Sequence, residues 1–95
     1  MSALLSAVGD ALARATGMTP TQARGTLRLM LKDRGVDPAI ARKADLRALL
    51  GAPLDAELER RHVTFVSKEA RAALTRALHA APELDDAYDL FKDID

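Results

Sequence analysis

Gly17-Met18-Thr19-Pro20 and Gly35-Val36-Asp37-Pro38 are two copies of the same helix stop-and-start signal, with a looser version at Gly51-Ala52-Pro53. A glycine just past a helix adopts the left-handed conformation that closes the last turn. Thr and Asp are N-cap residue types, and proline is pre-organised for the first helical position. Each copy therefore predicts that one helix ends and another begins almost at once. The chain is predicted to be an all-α, compact bundle of five or six short helices joined by tight Gly/Pro turns.

The composition supports one helical domain over residues 1–95. Ala supplies 19 residues and Leu 15, while Val and Ile together supply six. Because Ala and Leu favour helices and β-branched residues favour strands, a core of Leu packed against Ala is expected. The aromatic residues are Phe65, Tyr88 and Phe91.

Six helices are predicted from apolar residues that recur at helical spacing. They cover about residues 2–16, 20–34, 38–50, 56–61, 68–81 and 83–93. A break in the third helix is expected near Asp45, and Asp55 and Ser67 are the expected N-caps of the fourth and fifth. Residues 62–66 form the one β-prone run, which is interpreted as an extended linker that places Val63 and Phe65 in the core. Pairing of this run with a second copy of the chain is the alternative.

The second helix is the best defined of the six. Thr19 and Gln22 have the spacing of a capping box, in which each side chain bonds the backbone of the other residue. One face is apolar, with Ala23, Leu27, Met30 and Leu31. Gly25 and Leu29 lie on another face, and a glycine inside a helix costs about 1 kcal/mol relative to alanine. A closely packed neighbour is therefore expected at Gly25, which would make this helix central and contacted on two sides.

Sites of chemistry are not indicated by the sequence. It has no cysteine, no glycine-rich phosphate loop, no nucleophile with an assigned base, and no metal-ligand spacing around His62 or His79. An enzyme is not expected, nor a bound cofactor or metal, and both histidines are interpreted as surface residues. No signal peptide or membrane span is indicated, so a cytoplasmic protein without a membrane partner is expected. The abundance of Arg and Ala is compatible with a bacterial source.

Charge is divided unevenly along the chain. Residues 1–80 carry thirteen Lys or Arg against eight Asp or Glu, a net +5, whereas residues 81–95 carry a net −5. The candidate partner-binding residues are basic ones in helices 2 and 3 and apolar ones in helix 6. They are Arg24, Arg28, Lys32, Arg42, Lys43, Arg47, Leu84, Tyr88 and Phe91.

Two functions fit these residues. The preferred one is a protein–protein interaction domain, an adaptor, regulator or inhibitor, whose partner is another protein; a homodimer is also open. The alternative is a helix-turn-helix nucleic-acid-binding protein that uses the basic stripe over residues 24–47. In that case Arg42, Lys43 and Arg47 would face the duplex. The apolar spacing of Leu84, Tyr88 and Phe91 suits either a partner's groove or, as preferred, the domain's own core.

Overall fold

The computed structural model describes residues 3–81, and these form an all-α bundle. Five α-helices and one short 3-10 turn, η1, make up this part of the chain, and it contains no strand. In chain order they are α1 (Ala3–Thr16), α2 (Pro20–Asp33), η1 (Pro38–Ile40), α3 (Lys43–Leu49), α4 (Ala52–Arg60) and α5 (Lys68–Ala80). The predicted fold class is confirmed. The predicted sixth helix, with Leu84, Tyr88 and Phe91, lies outside the described residues.

The two full stop-and-start signals have the predicted geometry. Gly17 and Gly35 have φ angles of 83° and 77°. After Gly35, the Val36 amide donates to the Leu31 carbonyl at 2.9 Å, which closes the last turn of α2 in a Schellman motif. The looser signal behaves differently, because Gly51 has a φ of −101° and serves as the N-cap of α4.

Local capping fixes the starts of α2 and α5 where the sequence predicts them. The Thr19 hydroxyl accepts from the Gln22 amide at 3.1 Å, and the Gln22 side chain accepts from the Thr19 amide at 3.0 Å. The Ser67 hydroxyl accepts from the Ala70 amide at 3.0 Å. Each cap satisfies a backbone amide that the helix leaves without a partner.

The third and fourth helices begin elsewhere than predicted. The third is interrupted at Ala41 and Arg42, so residues 38–50 form η1 and then the two-turn helix α3. Asp45 does not start a new helix; its carboxylate accepts from the Arg42 amide at 2.8 Å and caps α3 from inside. The fourth begins at Ala52 instead of after Asp55, because Pro53 fits its first turn.

One hydrophobic core joins all five helices. α1 packs along α2 and α5, and α3 contacts α2, α4 and α5. Leu27 and Leu31 of α2 are fully buried, as predicted, together with Leu46 of α3 and Leu54 of α4. Ile40 was expected among the apolar contacts of the third helix, but it is 64% exposed, and Ala41 is buried instead.

The close helix approach occurs at a different glycine from the one predicted. Among the described residues, nothing lies within 4 Å of a Cβ built on Gly25, and Leu29 is 53% exposed. A Cβ on Gly9 of α1, by contrast, would overlap Arg24 Cγ and lie 3.3 Å from Arg24 Cα. The tight contact is therefore between α1 and α2, and the Gly25 face of α2 is open in this part of the chain.

Residues 62–66 form an irregular linker between α4 and α5. The half-buried side chains of Val63 and Phe65 pack against the core, as the linker interpretation predicts. The Val66 amide donates to the Ala15 carbonyl at the end of α1 at 2.9 Å. The linker therefore adds apolar contacts and one backbone bond between distant parts of the chain.

Candidate functional site

The three basic residues predicted to form one stripe on α2 have two different environments. Arg24 lies in the α1–α2 contact, where its guanidinium is 3.7 Å from the Asp10 carboxylate of α1. Arg28 and Lys32 lie further along and border an open groove of about 370 Å³. Arg24 is therefore a packing residue, and Arg28 and Lys32 are the pair that a ligand could reach.

This groove, called here the α2–η1 groove, combines apolar and charged surface. Its lining comes from α1, α2 and the start of η1: Leu5, Arg28, Lys32, Asp37, Pro38 and Ala39. Leu5 is buried, so it forms the floor. The carboxylate of Asp37 accepts from the Ala39 amide at 2.9 Å and so caps η1. A ligand would meet two cations, the capping carboxylate and an apolar floor.

The outer face of α2 lies beside this groove and consists of Gly25, Arg28, Leu29 and Lys32. Their spacing places them together, opposite the buried face with Leu27 and Leu31. Leu29 is the exposed apolar residue of this face and is one helical turn from the open Gly25 position. Within residues 3–81, neither Arg28 nor Lys32 makes an ion pair. The face therefore offers one apolar residue flanked by two cations.

The basic residues at the N-cap and within α3 differ in their contacts. The Lys43 ammonium donates to the His79 carbonyl at 2.7 Å, at the end of α5. A cation there satisfies a carbonyl that the helix leaves open and complements the helix dipole. Arg42 and Arg47 are exposed. Lys43 is thus placed by the packing of α3 on α5.

A second cavity, of about 290 Å³, lies between α4 and the linker. Its lining is Asp55, Leu58, Glu59, Val63, Thr64 and Phe65. Arg71 of α5 lies with its guanidinium carbon 5.2 Å from the centre of the Phe65 ring and donates to the Asp55 carboxylate at 2.8 Å. These contacts fasten α5 to α4 and the linker, so the charged groups here have a structural role.

Glu57 is the one described residue with a clear shift in pKa. Its carboxylate accepts from Arg61 Nε at 2.7 Å and also pairs with Arg60. The hydrogen bond from Arg61, helped by Arg60, lowers the pKa of Glu57 below its ordinary value of 4.5, although partial burial opposes the shift. All three residues lie at the end of α4, so the cluster stabilises that helix.

Metal and membrane sites are not indicated among residues 3–81. No group of three His, Cys, Asp or Glu is placed to hold a metal ion there, and His62 and His79 are both exposed. Each helix in this part of the chain is too short or too polar to cross a bilayer. Comparisons with protein families, curated proteins and solved structures find no match.

Sequence reasoning found only part of this surface. It identified Arg28 and Lys32 but grouped them with Arg24, because helical spacing alone does not say which neighbour a side chain meets. It missed Leu5, Pro38 and Ala39, which come from other elements. Exposure of Leu29 could have been inferred from its position opposite Leu27 and Leu31.

Proposed function

We propose that this chain is a non-catalytic protein-interaction domain, an adaptor, regulator or inhibitor, that docks another protein on the outer face of α2. The observation that carries the proposal is the exposed Leu29 beside the open Gly25 position. Gly25 costs about 1 kcal/mol relative to alanine and relieves no contact within residues 3–81. A partner helix that approaches closely would use both the missing side chain of Gly25 and the apolar surface of Leu29.

The chemistry of the surface favours an amphipathic, acidic partner. Arg28 and Lys32 flank the apolar residue, and the α2–η1 groove continues the surface towards Pro38 and Ala39. A helix with an apolar stripe and flanking carboxylates matches this arrangement in the helix-in-groove mode of recognition. Complementary charge would speed the encounter and select the partner, while burial of Leu29 would supply affinity.

The test compares two charge-introducing variants of the full chain. Leu29→Asp alters the proposed surface, and Thr75→Asp alters an exposed position of α5. Proteins captured from a lysate of the source organism are identified, purified and titrated against each variant by calorimetry. We expect a partner whose affinity falls at least tenfold with Leu29→Asp, about 1.4 kcal/mol, and is unchanged by Thr75→Asp. Equal affinity for both variants would place binding elsewhere and refute the proposal.

Nucleic-acid binding is the rival function, supported by the exposed Arg42 at the N-cap of α3 and Arg47 within that helix. α3 is short for a recognition helix, with 7 residues, and the Lys43 ammonium bonds to α5. We expect no duplex binding in about 150 mM salt, where screening is strong. Submicromolar binding there that falls steeply with salt and is lost on changing Arg42, Lys43 and Arg47 to Ala would favour the rival.

A further inference from the structure

We propose that the α2–η1 groove binds the chain's own acidic C-terminal segment, residues 82–95, so that this segment competes with the external partner. The inference deepens the proposed function and rests on it, because the segment would mimic the partner's chemistry at the same surface. Three observations support it: the groove's cations have no ion pair among residues 3–81, α5 ends at the start of α3, and the segment is acidic.

Four of the ten arginines among residues 3–81 are paired with carboxylates, and Arg28 is one of the six that are not. Arg24, Arg60, Arg61 and Arg71 each have a carboxylate within 4.0 Å. Arg28 and Lys32 have none among residues 3–81, and they face a floor formed by Leu5. The groove's own acid, Asp37, is hydrogen-bonded to the Ala39 amide. The groove therefore carries two cations against one carboxylate, a net positive charge, beside apolar surface.

The end of α5 is held at the start of α3. The bond from Lys43 to the His79 carbonyl fixes the last turn of α5 against the start of α3. Lys43 follows the groove residue Ala39 by only four positions, and Ala81 is buried. From there, 14 residues extend to Asp95, and an extended chain of that length reaches about 46–50 Å. The segment is long enough to reach Arg28 and Lys32.

The charge and apolar pattern of the segment suit this groove. It contains Glu83 and five aspartates against Lys92, a net −5, and the remainder of the chain carries +5. Leu84, Tyr88 and Phe91 follow one another at the spacing of a helix face. Because the segment is tethered, its effective concentration at the groove is in the millimolar range, so even weak contacts would populate the bound state. An external acidic helix would have to displace it.

Paramagnetic relaxation in the full chain tests this directly. The chain has no cysteine, so Asp95→Cys gives a single site for a nitroxide label. We expect the label to broaden the amide signals of Arg28, Lys32 and Ala39, while those of Ala56 in α4 are spared. The matched control carries Arg28→Glu and Lys32→Glu as well, and there the broadening should be lost. High salt should reduce it too, since the contact is largely electrostatic.

Two results would overturn the inference. One is broadening at another surface, or none. The other is broadening of the α2 signals only when labelled and isotope-enriched molecules are mixed, which would make a second copy the occupant. The proposed function is tested separately by Leu29→Asp in the calorimetric titration. If the segment does not reach the groove but Leu29→Asp still lowers the affinity for the partner, only the proposed competition is refuted. If the segment binds the groove but Leu29→Asp changes the affinity for no partner, only the proposed function is refuted.

Discussion

At the scale of single residues, two glycines inside helices have opposite surroundings. Gly9 of α1 faces Arg24 of α2 so closely that a Cβ would overlap the arginine side chain, whereas Gly25 faces open space within the described residues. Both should cost helix stability relative to alanine. Only at Gly9 does a contact within the bundle explain why the residue is glycine. The two positions can therefore be compared by the same substitution, glycine to alanine.

Alanine should destabilise the protein at one of these glycines and stabilise it at the other. Gly9→Ala should lower the free energy of unfolding by about 1–2 kcal/mol, because over-packing of the α1–α2 contact outweighs the gain in helix propensity. Gly25→Ala should raise it by about 0.5–1 kcal/mol. Urea unfolding of both variants measures the difference. Stabilisation by Gly9→Ala would mean that α1 and α2 can separate without cost.

A second pair of residues closes two helices with the same Schellman motif. Gly35 ends α2 with φ 77°, and His62 ends α4 with φ 58° while the Val63 amide donates to the Leu58 carbonyl at 2.9 Å. The left-handed region is strained for a residue with a Cβ. His62→Gly should therefore stabilise by up to about 1 kcal/mol, and Gly35→Val should destabilise by about 1–2 kcal/mol. Thermal melting checks both, and an unchanged midpoint for Gly35→Val would contradict the stop-and-start argument for the fold.

At the scale of elements, the end of α4 carries a pH-dependent contribution to stability. The pKa of Glu57 is lowered in the folded protein by hydrogen bonds from Arg61 and Arg60. A lowered folded pKa means that the carboxylate stabilises the fold fully above its ordinary value of 4.5, and that this stabilisation is lost as the pH falls through the lowered value.

Glu57→Gln should reduce the loss of stability between neutral and acidic pH. We expect the variant to be less stable than the parent at pH 7, with a smaller difference at an acidic pH below the lowered pKa of Glu57, because protonation then removes the same charge from the parent. Denaturant unfolding at both pH values measures this, with Glu59→Gln as the control on the same helix. If Glu57→Gln lost equal stability at both values, the ion pairs would not be the cause.

Elements were predictable where their boundaries depend on nearby residues. The capping box of Thr19 and Gln22 and the hydroxyl of Ser67 act within one turn, so sequence spacing reveals them. The break before α3 was placed too late, because it depends on burial of Ala41 and on the bond from the Arg42 amide to Asp45. Burial of Ala41 is a consequence of tertiary packing, whereas the bond to Asp45 spans three residues, and Asp45 was interpreted as an N-cap instead.

The candidate site was less predictable than the elements for the same reason. Arg28 and Lys32 are visible as a basic pair in the sequence, but the groove they border needs Leu5 from α1 and Ala39 from η1. No local pattern connects these residues. Gly25 has no close neighbour among residues 3–81, where the sequence predicts one, since the pattern indicates a missing side chain and does not identify what approaches it.

At the scale of the whole molecule, α2 has two unlike faces, one buried and one exposed. Leu27 and Leu31 join the single core shared by all five helices, and both are fully buried. Leu29 lies between them in sequence and is exposed on the opposite face. The fold depends on the first face, and the proposed function depends on the second.

The two faces predict a large difference between neighbouring substitutions. Leu27→Ala should cost about 2–5 kcal/mol, because it leaves a cavity where α2 meets the rest of the core. That is a large part of the roughly 5–15 kcal/mol that stabilises an ordinary domain, so the variant should unfold at much lower urea. Leu29→Ala should change stability by no more than about 0.5 kcal/mol while weakening partner binding. A comparable loss of stability in both variants would mean that Leu29 is covered within the chain, and the outer face of α2 could then not serve as the docking surface.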